Sequence, residues 1–255
     1  MTGKLKPSVC IDAVFGDLSV TDAVKRVHDT GINAFEFWGW WDKDSAEIKR
    51  ARDNHNMAIS ACCTKFISLV DPAVRSDYLN GLEESIVAAK DLDCRTLISQ
   101  VGDFRKGVPR AEQHDALVDG LTAAAALLAG TDITLVIEPL NELVDHAGYY
   151  LIRSDEAFQI VDKVNSPNVR VVFDIYHQQI SEGHLIERIT SGIDRIGHFH
   201  AAGNPGRHEL DRGEIHYPSV FAAIGETNYQ GYVGLEYWPV EPAEVGLKRI
   251  RKWFE

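Results

Sequence analysis

The chain has few of the features that announce membrane, secreted or nucleic-acid-binding proteins. No apolar run approaches the roughly 20 residues a bilayer-spanning helix needs, so no transmembrane segment is expected. The opening Met-Thr-Gly-Lys-Leu-Lys-Pro lacks an apolar core followed by a small-residue cleavage site, which predicts no signal peptide. Only four cysteines occur (Cys10, Cys62, Cys63, Cys94), with no Cys-x-x-Cys and with Cys62 and Cys63 adjacent. That pattern excludes a disulfide framework or zinc ribbon and points to a reduced, cytoplasmic setting, with each cysteine a buried small hydrophobe. No basic run occurs, and the formal net charge is −12. Such a surface repels phosphate backbones, so no nucleic-acid partner is expected. Repeats, low-complexity tracts and linkers are also absent, and residues 1–255 read as one domain.

What is present is an alternation of strand and helix signals. The strands are expected at Ser8–Phe15, Ala34–Trp38, Met57–Cys62, Arg95–Val101, Asp132–Glu138, Asn168–Asp174, Arg195–His200 and Tyr232–Glu236. The intervening helices are expected at Val20–Thr30, Asp44–Asn56, Asp71–Asp91, Pro109–Ala129, Ser154–Asn165, near Ser181–Ser191, Pro218–Thr227 and Glu241–Phe254. Ser19 and Ser154 read as N-caps, and Gly31 and Gly130 as helix stops. Eight such units imply parallel pairing with right-handed crossovers and predict a single-domain α/β protein, a (β/α)8 TIM barrel. A doubly wound sheet is disfavoured because the first turn, Phe15-Gly16-Asp17-Leu18, contains no G-x-G-x-x-G.

Four of the expected strands close on a metal-ligand type. Glu138 follows Asp-Ile-Thr-Leu-Val-Ile, Asp174 follows Val-Arg-Val-Val-Phe, His200 follows Arg-Ile-Gly-His-Phe, and Glu236 follows Tyr-Val-Gly-Leu. They are 36, 26 and 36 residues apart, each about one βα unit with its loop. In a parallel barrel, all four would converge on the C-terminal mouth, where such barrels keep their chemistry. Oxygen-rich ligation with one imidazole suits Mn²⁺, Mg²⁺ or Co²⁺ better than a thiolate-seeking metal, with Zn²⁺ also accommodated.

The polar segments around these positions extend the pattern. Ile-Glu-Pro-Leu-Asn, Val-Phe-Asp-Ile-Tyr-His, Ile-Gly-His-Phe-His, Gly-Glu-Ile-His-Tyr and Tyr-Val-Gly-Leu-Glu-Tyr resemble hydroxypyruvate isomerase, of the xylose isomerase-like barrel superfamily. The resemblance is close from about residue 132 onward. It implies that Glu138, Asp174, His200 and Glu236 bind the metal, and that Glu138 and Glu236 face opposite sides of the substrate and carry its proton. It further implies that His177 and Arg207 hold substrate oxygens. The implied substrate is a small hydroxy-carbonyl compound, such as hydroxypyruvate, or a related keto sugar or sugar acid. Two departures, the short Thr64–Asp71 loop and an imidazole at His200, leave ketose 3-epimerase and inosose isomerase or dehydratase activities open.

Other residues carry two readings. Among Trp38, Trp40 and Trp41, at least one is a candidate substrate wall, with Trp38 preferred; loop packing or a homo-oligomer contact is the alternative. Glu36 and His198 are candidates for backing the site, and Asp12 could orient a site residue. Lys65 reads as a solvated loop residue, and His208 and Glu209 sit beside Arg207. His146, His184 and His216 read as surface or packing residues.

Overall fold

The computed structural model describes residues 4–254. Eight parallel strands close into a barrel: β1 Lys6–Cys10, β2 Ala34–Phe37, β3 Ala58–Cys63, β4 Thr96–Ser99, β5 Thr134–Ile137, β6 Val169–Asp174, β7 Ile196–Ala201 and β8 Tyr232–Leu235. Each strand pairs with its sequence neighbours, and β1 closes on β8. The helices are α1 Ile11–Val14, α2 Val20–Asp29, α3 Ser45–His55, α4 Arg75–Asp91, α5 Arg110–Leu128, α6 Ser154–Val164, α7 Ile175–Ser181, α8 Leu185–Gly192, α9 Tyr217–Gly225 and α10 Ala243–Ile250. The expected (β/α)8 architecture is therefore the observed one. No helix among the described residues is long and apolar enough to cross a membrane.

Local chemistry explains both the matches and the differences. Ser19 caps α2 by accepting the Asp22 amide (3.1 Å), and Gly31 follows with φ of 86°. Ser154 is the first residue of α6, and its hydroxyl goes to Glu182 instead of capping. The run expected as one strand, Ser8–Phe15, is split: β1 ends at Cys10, and Ile11–Val14 form a helical turn that buries Ile11, Ala13 and Val14. A short apolar run does not distinguish a buried strand from a buried helical turn. Near Ser181–Ser191 there are two helices, α7 and α8, and α7 starts directly after Asp174.

Strand alternation divides the core in two. Phe35, Phe37, Leu97, Leu135, Ile137, Val171 and Phe173 pack outward against the helices. Inside the barrel, Ala61, Cys63, Ile98, Val136 and Val172 form a separate apolar cluster contributed by β3 to β6. The opposite side of the interior is polar. It holds Ser8 of β1, Glu36 of β2 and His198 and His200 of β7, all buried. A register shift between Phe35↔Ile59 and Phe37↔Cys62 bulges β3 and brings Ser60 to Glu36.

Leu135 has no exposed surface, whereas Leu143 is 80% exposed. Leu135→Ala is expected to lower unfolding free energy in urea by about 2–5 kcal/mol, and Leu143→Ala to change it by less than about 0.5 kcal/mol. Equal effects at the two positions would contradict this core assignment.

Candidate active site

The four strand-end residues meet at the C-terminal end of the barrel. Glu138 and Glu236 each lie one residue past their strand. Their amides still continue the ladder, donating to the carbonyls of Ser99 (3.3 Å) and Ala201 (3.1 Å). Asp174 closes β6 and also caps α7, accepting the His177 amide at 3.0 Å. His200 is held in register between Asp174 and Gly234. One donor atom from each of Glu138, Asp174, His200 and Glu236 lies within 4.8 Å of the others, and all four residues are buried.

The electrostatics of this cage fit a cation. Glu36, Glu138, Asp174 and Glu236 put four buried carboxylates around one guanidinium, Arg207, and the imidazoles of His198 and His200. Buried carboxylates left uncompensated are costly, and a divalent ion would cancel the excess. His200 Nδ1 lies 3.0 Å from Glu138 Oε1 and 3.4 Å from Glu236 Oε2. Burial opposes its charging, but Glu236, Glu138 and Glu36 outweigh burial and raise His200 well above the ordinary imidazole value.

The two glutamates sit in unlike surroundings. Burial raises Glu138 above the usual carboxylate range despite His200. For Glu236, burial acts in the same direction, but Arg207, His200 and the Trp38 indole overcome it and hold the carboxyl low. Arg207 Nη2 pairs with Glu236 Oε2 and lies 3.8 Å from Asp174 Oδ2. Its guanidinium lies over the rings of both Tyr176 (5.4 Å) and Trp238 (4.9 Å).

His177 is fixed by a chain of hydrogen bonds that also determines its tautomer. The Asn141 Oδ1 atom accepts the amides of Val144 (2.9 Å) and Asp145 (3.3 Å). Asn141 Nδ2 must then donate, to Asp145 Oδ2 and to His177 Nδ1, both at 2.7 Å. The His177 proton therefore sits on Nε2, which is buried, 3.7 Å from Asp174 Oδ2, and without a hydrogen-bond partner among the described residues. Burial, with the Arg207 charge nearby, pushes His177 well below the ordinary imidazole value, so this donor is neutral. Arg207 Nε is a second buried donor without a hydrogen-bond partner among the described residues.

Trp38 joins the cage, but as more than an apolar wall: its indole Nε1 donates to Glu236 Oε1 at 2.6 Å. Its backbone amide donates to Asp12 Oδ2 at 2.7 Å, and Lys43 Nζ lies 3.0 Å from the same oxygen. Asp12 thus orients Trp38, a link the sequence only hinted at. Trp40 and Trp41 stay apart from the cage. Trp40 donates to Ser85, and Trp41 stacks edge-on against Trp40 and Phe66. Lys65 pairs with Glu84 at 2.5 Å. Glu209 accepts the amides of Val240 and Glu241, and so ties the loop carrying Arg207 to the loop after Glu236. His208 Nδ1 lies 2.8 Å from the Trp238 carbonyl. Of the histidines read as surface or packing, His184 and His216 are exposed, whereas His146 packs edge-on against His177. Asn141, Asp145 and Tyr176, whose hydroxyl donates to Asp145 at 2.9 Å, were not singled out by sequence reasoning. Their only signal was the unusual polarity of the segments after Glu138 and Asp174.

With this geometry in hand, comparisons with known proteins are informative. The model of the xylose isomerase-like TIM barrel family matches residues 24–255. Hydroxypyruvate isomerase of Escherichia coli is 31% identical over 253 residues, spanning 96% of this chain and 97% of that protein. A 2-oxo-tetronate isomerase of Pectobacterium atrosepticum is 33% identical, over 71% of this chain and 67% of its own length. Among solved structures, a protein described as an AP endonuclease, family 2, from Brucella melitensis superposes with a TM-score of 0.91 at 28% identity, over 98% of both chains. The chain belongs to the xylose isomerase-like TIM barrel family and is, within it, a hydroxypyruvate isomerase-like isomerase.

Proposed function

We propose that the chain interconverts neighbouring hydroxyl and carbonyl groups of a small 2-oxo acid, as between hydroxypyruvate and tartronate semialdehyde, or of a related keto sugar or sugar acid. One divalent cation, Mn²⁺ first, is held by Glu138, Asp174, His200 and Glu236. The observation that carries this reading is the cage itself: ligand atoms of Glu138, Asp174, His200 and Glu236 lie within 4.8 Å of one another, all buried, with the two glutamates flanking His200. Two carboxylates placed on either side of one site suit the transfer of a proton between neighbouring carbons. The names of the relatives support the hydroxy-carbonyl class.

A divalent cation in the cage would supply electrophilic polarisation of adjacent substrate oxygens, which acidifies the C–H between them. Glu236, ionised, takes the proton from the carbon bearing the hydroxyl, and the electron pair moves onto the carbonyl oxygen to give an enediolate. A proton delivered to the former carbonyl carbon, from Glu138 or back from Glu236, together with passage of the hydroxyl proton to the former carbonyl oxygen, completes the isomerisation. His177 Nε2–H and the Arg207 guanidinium donate to substrate oxygens and restrain the developing negative charge. Epimerisation at a neighbouring carbon, or loss of a β-hydroxyl, would use the same proton abstraction; the occupant of the surrounding loops decides between them. The Brucella structure's description suggests a phosphodiesterase reading. The net charge of −12 opposes it, and beyond the four-residue cage the described residues supply only the Glu36–His198–His200 group as a further candidate for holding metal.

Metal-loaded protein is expected to exchange the α-proton of hydroxypyruvate for solvent deuterium, read by NMR. Glu138→Gln and Glu236→Gln are each expected to slow exchange by about 10²–10⁴-fold, and chelation to abolish it. The same preparation is expected to leave an abasic-site oligonucleotide intact. Exchange that survives chelation and both substitutions, or strand cleavage, would overturn the reading.

Trp38→Phe retains the ring and removes only the indole N–H on Glu236. A hydrogen bond to a charged group contributes about 1.5–3 kcal/mol, so kcat is expected to fall roughly 10–100-fold with little change in KM. A large rise in KM with kcat intact would assign Trp38 to substrate contact instead.

A further inference from the structure

Glu36 stands out among the buried charges because it lies below the cage, in the middle of β2, and touches it at one point only. Its two oxygens have separate neighbours. Oε2 accepts from Ser60 Oγ (2.7 Å) and lies 3.0 Å from His198 Nε2, while Oε1 lies 3.0 Å from His200 Nε2. His200 therefore faces Glu36 below through Nε2, this atom and the facing Oε1 having no hydrogen-bond partner among the described residues, and presents Nδ1 to Glu138 and Glu236 above.

The surrounding residues are arranged to admit this carboxylate. Gly234 sits opposite His200 in the β7–β8 register, and a Cβ there would lie 2.1 Å from Glu36 Oε1. The β3 bulge delivers Ser60, whose hydroxyl is itself 2.5 Å from Ser8. His198 stands two residues before His200 on the same face of β7, with ring centroids 5.1 Å apart and planes at 84°. A strand-centre glutamate buried in this way is costly unless fully partnered. Residues from four strands satisfy or make room for it.

We propose that Glu36 is a positioning residue that fixes which nitrogen of His200 faces the metal: Nε2 is turned to the Glu36 carboxylate, whose Oε1 lies 3.0 Å away with no other hydrogen-bond partner among the described residues, and Nδ1 is left as the ligand. This rests on the metal-cage reading above. A ligating imidazole commonly donates its other N–H to a carboxylate, which sets the ring's tautomer and orientation. Here that carboxylate comes from β2, three strands around the barrel from β7 by way of β1 and β8. Glu36, His198 and His200 also bring ligand atoms within 4.8 Å of one another. Oε2 is already engaged by Ser60 and His198, and Oε1 faces a single nitrogen of His200, which favours the positioning role over a second ion at that point.

The test uses metal-stripped wild-type protein and Glu36→Gln, which keeps the shape and removes the charge. In wild type labelled with ¹⁵N-histidine and loaded with Mg²⁺ or Zn²⁺, NMR is expected to show His200 protonated at Nε2 and metal-bound at Nδ1. Calorimetric titration with Mn²⁺ is expected to give a Kd about 10–100-fold weaker in Glu36→Gln, with an unchanged circular dichroism spectrum. An unchanged Kd in the variant, or metal bound to His200 through Nε2, would overturn the positioning role while leaving the cage intact. Wild type that binds no divalent cation would overturn the cage reading, and this one with it. The NMR measurement needs no variant and decides the matter even where Glu36→Gln fails to fold.

Discussion

Four buried carboxylates gathered around one imidazole in a closed barrel are the constraint that the rest of this structure serves. Glu36, Glu138, Asp174 and Glu236 are buried about His200, and each would destabilise the fold if left unpaired. The protein responds with Arg207, lying over the rings of Tyr176 and Trp238, with the paired imidazoles of β7, and with the Trp38 indole N–H. Even so, negative charge remains in excess. That excess is what a divalent cation in the proposed cage would cancel.

Barrel and loops divide the work. The apolar half of the interior, from Ala61 to Val172, is ordinary packing and keeps the polar half rigid. The strands fix Glu36, Asp174 and His200 in register, and the first residues beyond the strands carry Glu138 and Glu236. The segments that follow supply donors with defined protonation. Helix α7 begins at Asp174 and sets His177 one turn on, while the Asn141–Asp145 turn fixes its tautomer. Glu209 joins the two loops that hold Arg207 and Glu236, so the guanidinium and the carboxylate are placed as a unit.

Much of this was legible because a parallel strand, buried on both faces, reads as an unbroken apolar run. A charged residue closing such a run is conspicuous, and Glu138, Asp174, His200 and Glu236 were visible for that reason. Glu36 was visible as a charge inside its strand, two residues before Trp38 and so on the same face, but period and spacing do not say which strand it will face across a barrel. Helix α7 escaped notice because Asp174 serves as both strand end and N-cap, leaving no separate start signal. The split of Ser8–Phe15 escaped because α1 buries the same apolar residue types as a strand. Trp38 was expected as an apolar surface; its indole donor reaches Glu236 from the far end of the chain, and its backbone is pinned by Asp12, contacts that sequence does not encode locally.

The most direct test of the cage is a crystal of the protein grown with Mn²⁺ and measured at the manganese absorption edge. One anomalous peak bonded to Glu138, Asp174, His200 Nδ1 and Glu236 is the expected result. Manganese bound elsewhere, or no peak at saturating metal, would contradict it.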